Sequence, residues 1–214
     1  MQLISVNLGH ERMLQRKGRV EKTGIFKLST DGSIKVTKLG LEEDVIVSKK
    51  HHGGPDQAVY VYGMLDYEWW LREMGREMPP GTFGENLTIS DLESARFDIG
   101  DTLSTGDVTL QVTAPRIPCS IFAARMDDTL WVKRFRQAER PGLYCRVLKE
   151  GFVKTGDNVS VEKYSGETIS VLEMYRNYYK KDKSRETLLR HLNAPIAIRA
   201  RKDIEKELQK LSSP

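Results

Sequence analysis

The side chain with the most chemistry to offer is Cys119, in the run Gln111-Val-Thr-Ala-Pro-Arg-Ile-Pro-Cys-Ser-Ile-Phe-Ala-Ala-Arg125. Leu110, Val112 and Ala114 alternate with polar neighbours as a strand does, and Pro115 and Pro118 stop it. Pro118 fixes its own φ and biases Ile117 toward extended geometry, while residues 120–125 are predicted to open a short helix. The thiol is thus expected on a stiff corner at a helix start, with Arg116 before it and Arg125 after it. Such surroundings favour thiolate, and so a nucleophile or a soft-metal ligand. The other reading of the same residue is a buried small hydrophobe.

Three further runs carry polar groups at turns. In residues 48–60, His52 stands beside Gly53, Gly54 and Asp56. Adjacent histidines on an extended chain point to opposite sides, which makes His51 and His52 a poor ligand pair for one metal ion. His52 is read either as a cap on backbone groups or as a substrate contact. Gly53 and Gly54 allow a ligand close to the backbone and present amide donors suited to an anion. Lys22-Thr-Gly-Ile-Phe-Lys27 is a turn flanked by two lysines. In Thr82-Phe-Gly-Glu-Asn-Leu-Thr-Ile89, Phe83-Gly84 makes a turn, and Glu85 and Asn86 either organise the loop around the Cys119 corner or cap it.

The elements that must position these groups are mostly short strands. Residues 2–8, 17–21, 33–37, 45–47, 87–89, 97–110, 143–149, 151–154 and 159–163 read as strands or meanders with tight turns, a pattern of antiparallel sandwiches and barrels. Residues 60–74 are predicted helical, with Val61, Leu65, Trp69 and Arg72 on one face, and Trp69-Trp70 is read as core in preference to a stacking platform. Residues 127–140 are predicted as a charged helix. Cys145, amid Tyr144 and Val147, is read as packing. Residues 169–179, 184–192 and 195–211 read as three helices, the second capped by Ser184 or Asp182 and the third seamed by Ala200, Ile204, Leu208 and Leu211. The expected division is a β-barrel domain over 1–164 and a three-helix unit over 165–214, which is small enough that it must dock on the barrel.

With 39% hydrophobic and 30% charged residues, the composition is that of a soluble globular chain. No run approaches the roughly 18 apolar residues of a membrane span, and the start lacks a signal-peptide pattern, so a cytoplasmic protein with reduced cysteines is expected. The whole net charge of +4 sits in residues 165–214. A solvated basic face accounts for that, and nucleic acid is not expected as a partner.

Taken in order, His52-Gly-Gly-Pro-Asp56, Phe83-Gly-Glu-Asn-Leu87, Gly100-Asp101 and Pro115-Arg-Ile-Pro-Cys119 resemble a MOSC domain, the module of molybdenum cofactor sulfurases and amidoxime-reducing enzymes. The Lys22–Lys27 turn, the Gly142-Leu-Tyr-Cys-Arg-Val-Leu148 run and the helical tail resemble the family's bacterial YiiM-like branch.

The resemblance implies a mainly β, barrel-like fold with α additions and a mononuclear molybdenum–molybdopterin without nucleotide extension, held by Cys119. It further implies an oxidoreductase that converts N-hydroxylated compounds such as 6-N-hydroxylaminopurine to amines, with electrons from a separate flavin-containing reductase. The missing dinucleotide fingerprint agrees with an external donor. Candidate cofactor contacts are then Lys22, Thr23, Lys27, Gly53, Gly54, Asp56, Phe83, Glu85, Asn86, Arg116 and Arg125, with His52 beside Cys119 in catalysis. Sulfur carriage on Cys119 and molybdopterin storage or delivery are the competing functions. Monomer and homodimer both remain open.

Overall fold

The computed structural model describes residues 1–16, 18–47, 53–180 and 184–212. In chain order the strands are β1 (Leu3–Gly9), β2 (Arg12–Arg16), β3 (Arg19–Thr23), β4 (Lys27–Thr30), β5 (Ile34–Thr37), β6 (Gly40–Leu41), β7 (Val59–Gly63), β8 (Leu87–Ile89), β9 (Thr102–Thr105), β10 (Val108–Pro115), β11 (Leu143–Lys149), β12 (Gly151–Val153) and β13 (Val159–Glu162). The helices are α1 (Met64–Met74), α2 (Ser120–Arg125), α3 (Trp131–Ala138), α4 (Val171–Lys180), α5 (Arg185–Asn193) and α6 (Ile198–Ser212). None of the described helices is long and apolar enough to cross a membrane.

Eight strands form one sheet in the order β13-β9-β10-β11-β7-β8-β1-β4. The ladder does not run continuously round a barrel. Instead the sheet curls until its margins meet, through a Gln2–Asn158 bridge and bonds from Leu3 N to Asp157 O and from Val159 N to Met1 O, each 2.9 Å. Within it β7 and β8 run parallel, as the crossover through α1 requires. A second, three-stranded sheet has the order β12-β5-β6, and β2 and β3 form a separate hairpin.

Leu110, Val112, Leu143, Cys145, Val61 and Leu87 belong to an aliphatic core, and Ile169, Val171, Ala194 and Ile196 of the C-terminal part share it. A second core is aromatic: Tyr62, Tyr67, Trp70, Phe83, Phe122, Trp131 and Phe135. Trp70 and Trp131 stack at 4.8 Å, and Phe122 meets Trp131 edge-on at 5.7 Å. Large rings bury much area and lock one another's orientation.

Several expected elements differ, and the strand expected over 17–21 lies at Arg19–Thr23, after a turn at Gly18. The first four residues of the predicted 60–74 helix belong to strand β7, because Val59 to Gly63 are buried on both faces and carry no helical period. The helix begins only after Gly63, whose added Cβ would lie 1.8 Å from Leu92 O, and it buries Asp66, Tyr67 and Trp70, not the Leu65–Trp69 face. Residues 45–47 are not a strand: Val45 N bonds Gly9 O, and the segment stays irregular. The 127–140 helix is confined to Trp131–Ala138 and ends at Glu139 in the left-handed region, just before Pro141. Ser184 caps α5 by accepting from Thr187 N, whereas Asp182 lies outside the described residues. The seam expected on α6 holds at Ala200 and Ile204, which pack on the core, and fails at Leu211, which is exposed.

Candidate active site

The central strand β10 pairs with β9 and β11 and loses regular register between Val112 and Ala114, opposite Cys145 and Tyr144. Bulges of this kind turn a strand. Pro115 closes it against Leu143, and the chain then crosses to Cys119, which is extended at φ −121° immediately before α2. Phe122 anchors that short helix in the aromatic core, so the backbone at Cys119 is gripped by the proline corner on one side and by packed rings on the other.

Cys119 lies on the wall of a cleft with about 680 Å³ of empty volume, part of it open to solvent. Both cysteines are among the described residues and neither is in a disulfide. Beside Cys119, Arg116 is buried, its guanidinium 4.4 Å from the Phe122 ring centre and 4.9 Å from that of Tyr60. It donates to Phe83 O, and its Nε is buried with no hydrogen-bond partner among the described residues. Tyr60 and Tyr144, paired across β7 and β11 with ring centres 5.0 Å apart, complete this side.

The opposite wall is built by backbone contact. A Cβ on Gly9 would sit 2.2 Å from Gly24 O, and one on Gly24 would sit 1.8 Å from Val45 O. Only glycine lets these three segments stack so closely. Ile25, Val45, Ile46 and Val47 give the wall an apolar surface.

The Lys27–Asp44 ion pair also lines the cleft. Lys27 Nζ lies 2.6 Å from Asp44 Oδ1, and the two side chains are 9% and 2% exposed. Asp44 also accepts from Gly9 N at 2.7 Å and from Asn86 Nδ2 at 2.9 Å, so its carboxylate is satisfied at both oxygens. Burial pulls the Lys27 ammonium below the usual lysine range, while Asp44 and the more distant Glu85 pull it back up. Counting every charged lining residue described, the cleft presents Lys22, Lys27 and Arg116 against Asp44.

Of the expected site residues, Lys22, Thr23, Lys27, Gly53, Asn86, Arg116 and Cys119 line this cleft. His52 lies outside the described residues. Four expected contacts are placed elsewhere by their own packing. Asp56 pairs with Arg146 at 3.0 Å and accepts from Ile198 N at 2.6 Å, tying α6 to the sheet. Phe83 is buried among the aromatic rings. Glu85 is buried too, its Oε1 accepting from Tyr67 Oη, Gly81 N and Thr88 Oγ1. Arg125 holds the same loop through Thr82 O and Gly81 O and lies over the Phe26 ring. Gly54 heads the Pro55–Gln57 turn, one residue beyond the lining. The sequence reading missed Asp44, Gln57, Tyr60 and Tyr144. The two tyrosines meet only through the β7–β11 pairing, which no local pattern announces, and Asp44 follows Glu42-Glu43 and carries no local mark of burial.

The sequence pattern of the MOSC domain matches residues 48–160, just over half of the chain. The chain belongs to the MOSC domain family. This MOSC protein is 33% identical over 169 residues to the uncharacterized protein YflK of Bacillus subtilis strain 168, covering 79% of this chain and 76% of that one. It is 32% identical over 173 residues to a protein named Reductase from Gibberella moniliformis, covering 75% of this chain but 31% of that longer protein. The crystal structure of YiiM from Geobacillus stearothermophilus superposes with a TM-score of 0.78 at 25% identity, over 97% of this chain and 98% of that one. The protein is therefore a YiiM-like MOSC protein, C-terminal helices included.

Proposed function

We propose that the cleft binds a molybdenum–molybdopterin group through Cys119 and that the loaded protein reduces N-hydroxylated compounds, such as 6-N-hydroxylaminopurine, to the corresponding amines. The observation that carries this reading is the meeting of a thiol with an excess of cationic side chains in one cleft. A soft thiolate suits a metal already held by sulfur, and a phosphate tail needs cations and amide donors. The residues present fit that group: buried Arg116 has an unused N–H, and Lys22 and the Gly53 backbone stand on the same cleft.

When bound, the group supplies two-electron oxygen removal. The chain's own residues do the rest. Cys119 holds the metal, Arg116 and Lys22 bind the anionic tail, and the aliphatic wall of Ile25 and Ile46 together with Tyr60 and Tyr144 receives a flat, weakly polar substrate and keeps bulk water from it. Electrons come from a separate flavin-containing reductase.

The test is molybdenum content and turnover after expression in a host that makes molybdopterin. Near one metal per chain and turnover of 6-N-hydroxylaminopurine with an artificial reductant support the reading when both are lost in Cys119→Ser. A folded wild-type protein that takes up no molybdenum, or carries transferable sulfane sulfur instead, overturns it.

A further inference from the structure

Binding an anion leaves one feature of the cleft unexplained: a lysine buried so deeply against a carboxylate that already has donors enough. Asp44 receives Gly9 N and Asn86 Nδ2 besides the ammonium, so its oxygens do not depend on the lysine alone for donors. Both described bonds of Lys27 Nζ go to Asp44, one to each oxygen. An ammonium has three N–H groups, so one remains on a side chain that lines the cleft. We propose that Lys27 is the proton donor of this cleft, delivering a proton to the oxygen that leaves when the N–O bond of an N-hydroxylated substrate breaks.

The inference rests on the proposed function. Reduction of R–NH–OH to R–NH₂ and water breaks one N–O bond and consumes two electrons and two protons. The electrons come from the reduced flavin donor, one proton goes to nitrogen and the other to the departing hydroxyl. Lys27 provides the latter and is reprotonated from solvent through the open cleft.

Burial makes the ammonium more acidic than a surface lysine, which is the direction an acid catalyst needs. The charged groups around it are Asp44 and Glu85, which hold the proton on, and Arg116, which helps drive it off. Asp44 keeps Nζ in place throughout.

Two measurements test this. In protein labelled at the lysine ε-carbons, NMR titration of the wild type is expected to give one resonance, absent in Lys27→Arg, that titrates below the surface lysines. In molybdenum-loaded protein, turnover with an artificial reductant is expected to fall at the pH where that resonance titrates. Lys27→Arg keeps the charge but is too weak an acid to donate, so it is expected to lose about 100-fold in rate and the alkaline fall, with molybdenum content unchanged. A Lys27 that titrates with the surface lysines, or a Lys27→Arg variant with the wild-type rate and profile, overturns the proposal while leaving the reductase reading intact. Loaded wild type that turns over no N-hydroxylated compound overturns both.

Discussion

Arg16, on the β2 strand of the hairpin, donates from Nη1 to Ser120 Oγ at 2.8 Å, one residue past Cys119. The same guanidinium is engaged by Glu21 across the hairpin, and the hairpin's last residues, Lys22 and Thr23, line the cleft. The hairpin is thus strapped to the helix that follows the cysteine. Ser120→Ala is expected to leave the melting temperature unchanged and to speed amide exchange in residues 12–16 and 19–23. Equal exchange in the two proteins would show that the strap does not hold the hairpin.

Asp44→Asn leaves the Lys27 ammonium buried without its counter-ion. Breaking a buried pair from one side costs about 3 to 5 kcal/mol, whereas replacing both partners by apolar side chains is often near neutral. Urea denaturation is expected to show that loss for Asp44→Asn and part of it restored in Lys27→Met/Asp44→Asn, where the amide oxygen at 44 still accepts one of the neighbouring donors. A small loss in the single variant would mean that water reaches the pair in solution.

Burial pushes the Asp66 carboxyl up to about 6, against the opposing pull of Ser94 and Arg140. A carboxyl with a raised folded-state pKa binds its proton more tightly in the folded protein, so its ionisation lowers stability as pH rises from about 4 through 6. Glu85 is raised by burial as well and acts in the same direction. Asp66→Asn is expected to flatten that part of the stability–pH curve, measured by denaturant titration at a series of pH values. A curve of unchanged slope removes Asp66 as its source.

The two thiols should react in sequence. Cys145 is fully buried and its burial pushes the thiol well above the usual range, while Cys119 is partly exposed at the cleft. A thiol reagent added to the folded, metal-free protein is expected to modify one cysteine, absent in Cys119→Ser, and two after denaturation. Modification of two in the folded state would show that the sheet around β11 opens readily.

What could be read in advance follows the range of the forces involved. The Cys119 corner was legible because two prolines and a helix start act within ten residues, and the Ser184 cap because it acts within three. Strand β7 was not, because a segment buried on both faces shows neither period, and its tyrosines and valines suit a helix pattern by accident. Glu85 was legible as a candidate loop organiser, and Tyr67 Oη and Gly81 N bind it in that role; Asp56 was recognisable as special but not as scaffold, being consumed by Arg146 and Ile198, partners that only the fold supplies. Asp44 is the inverse case, an ordinary-looking acid made central by three distant chain segments.

The stacking of Gly9, Gly24 and Val45 fixes one wall of the cleft through main-chain atoms. Side chains at Val45 and Ile46 are then not needed to set where that wall stands. Their size can change over generations, or in a laboratory library, while the thiol and the cations opposite keep their places. The wall is where the shape of the cleft can drift without redesign of the scaffold, and the two glycines are what permit that freedom.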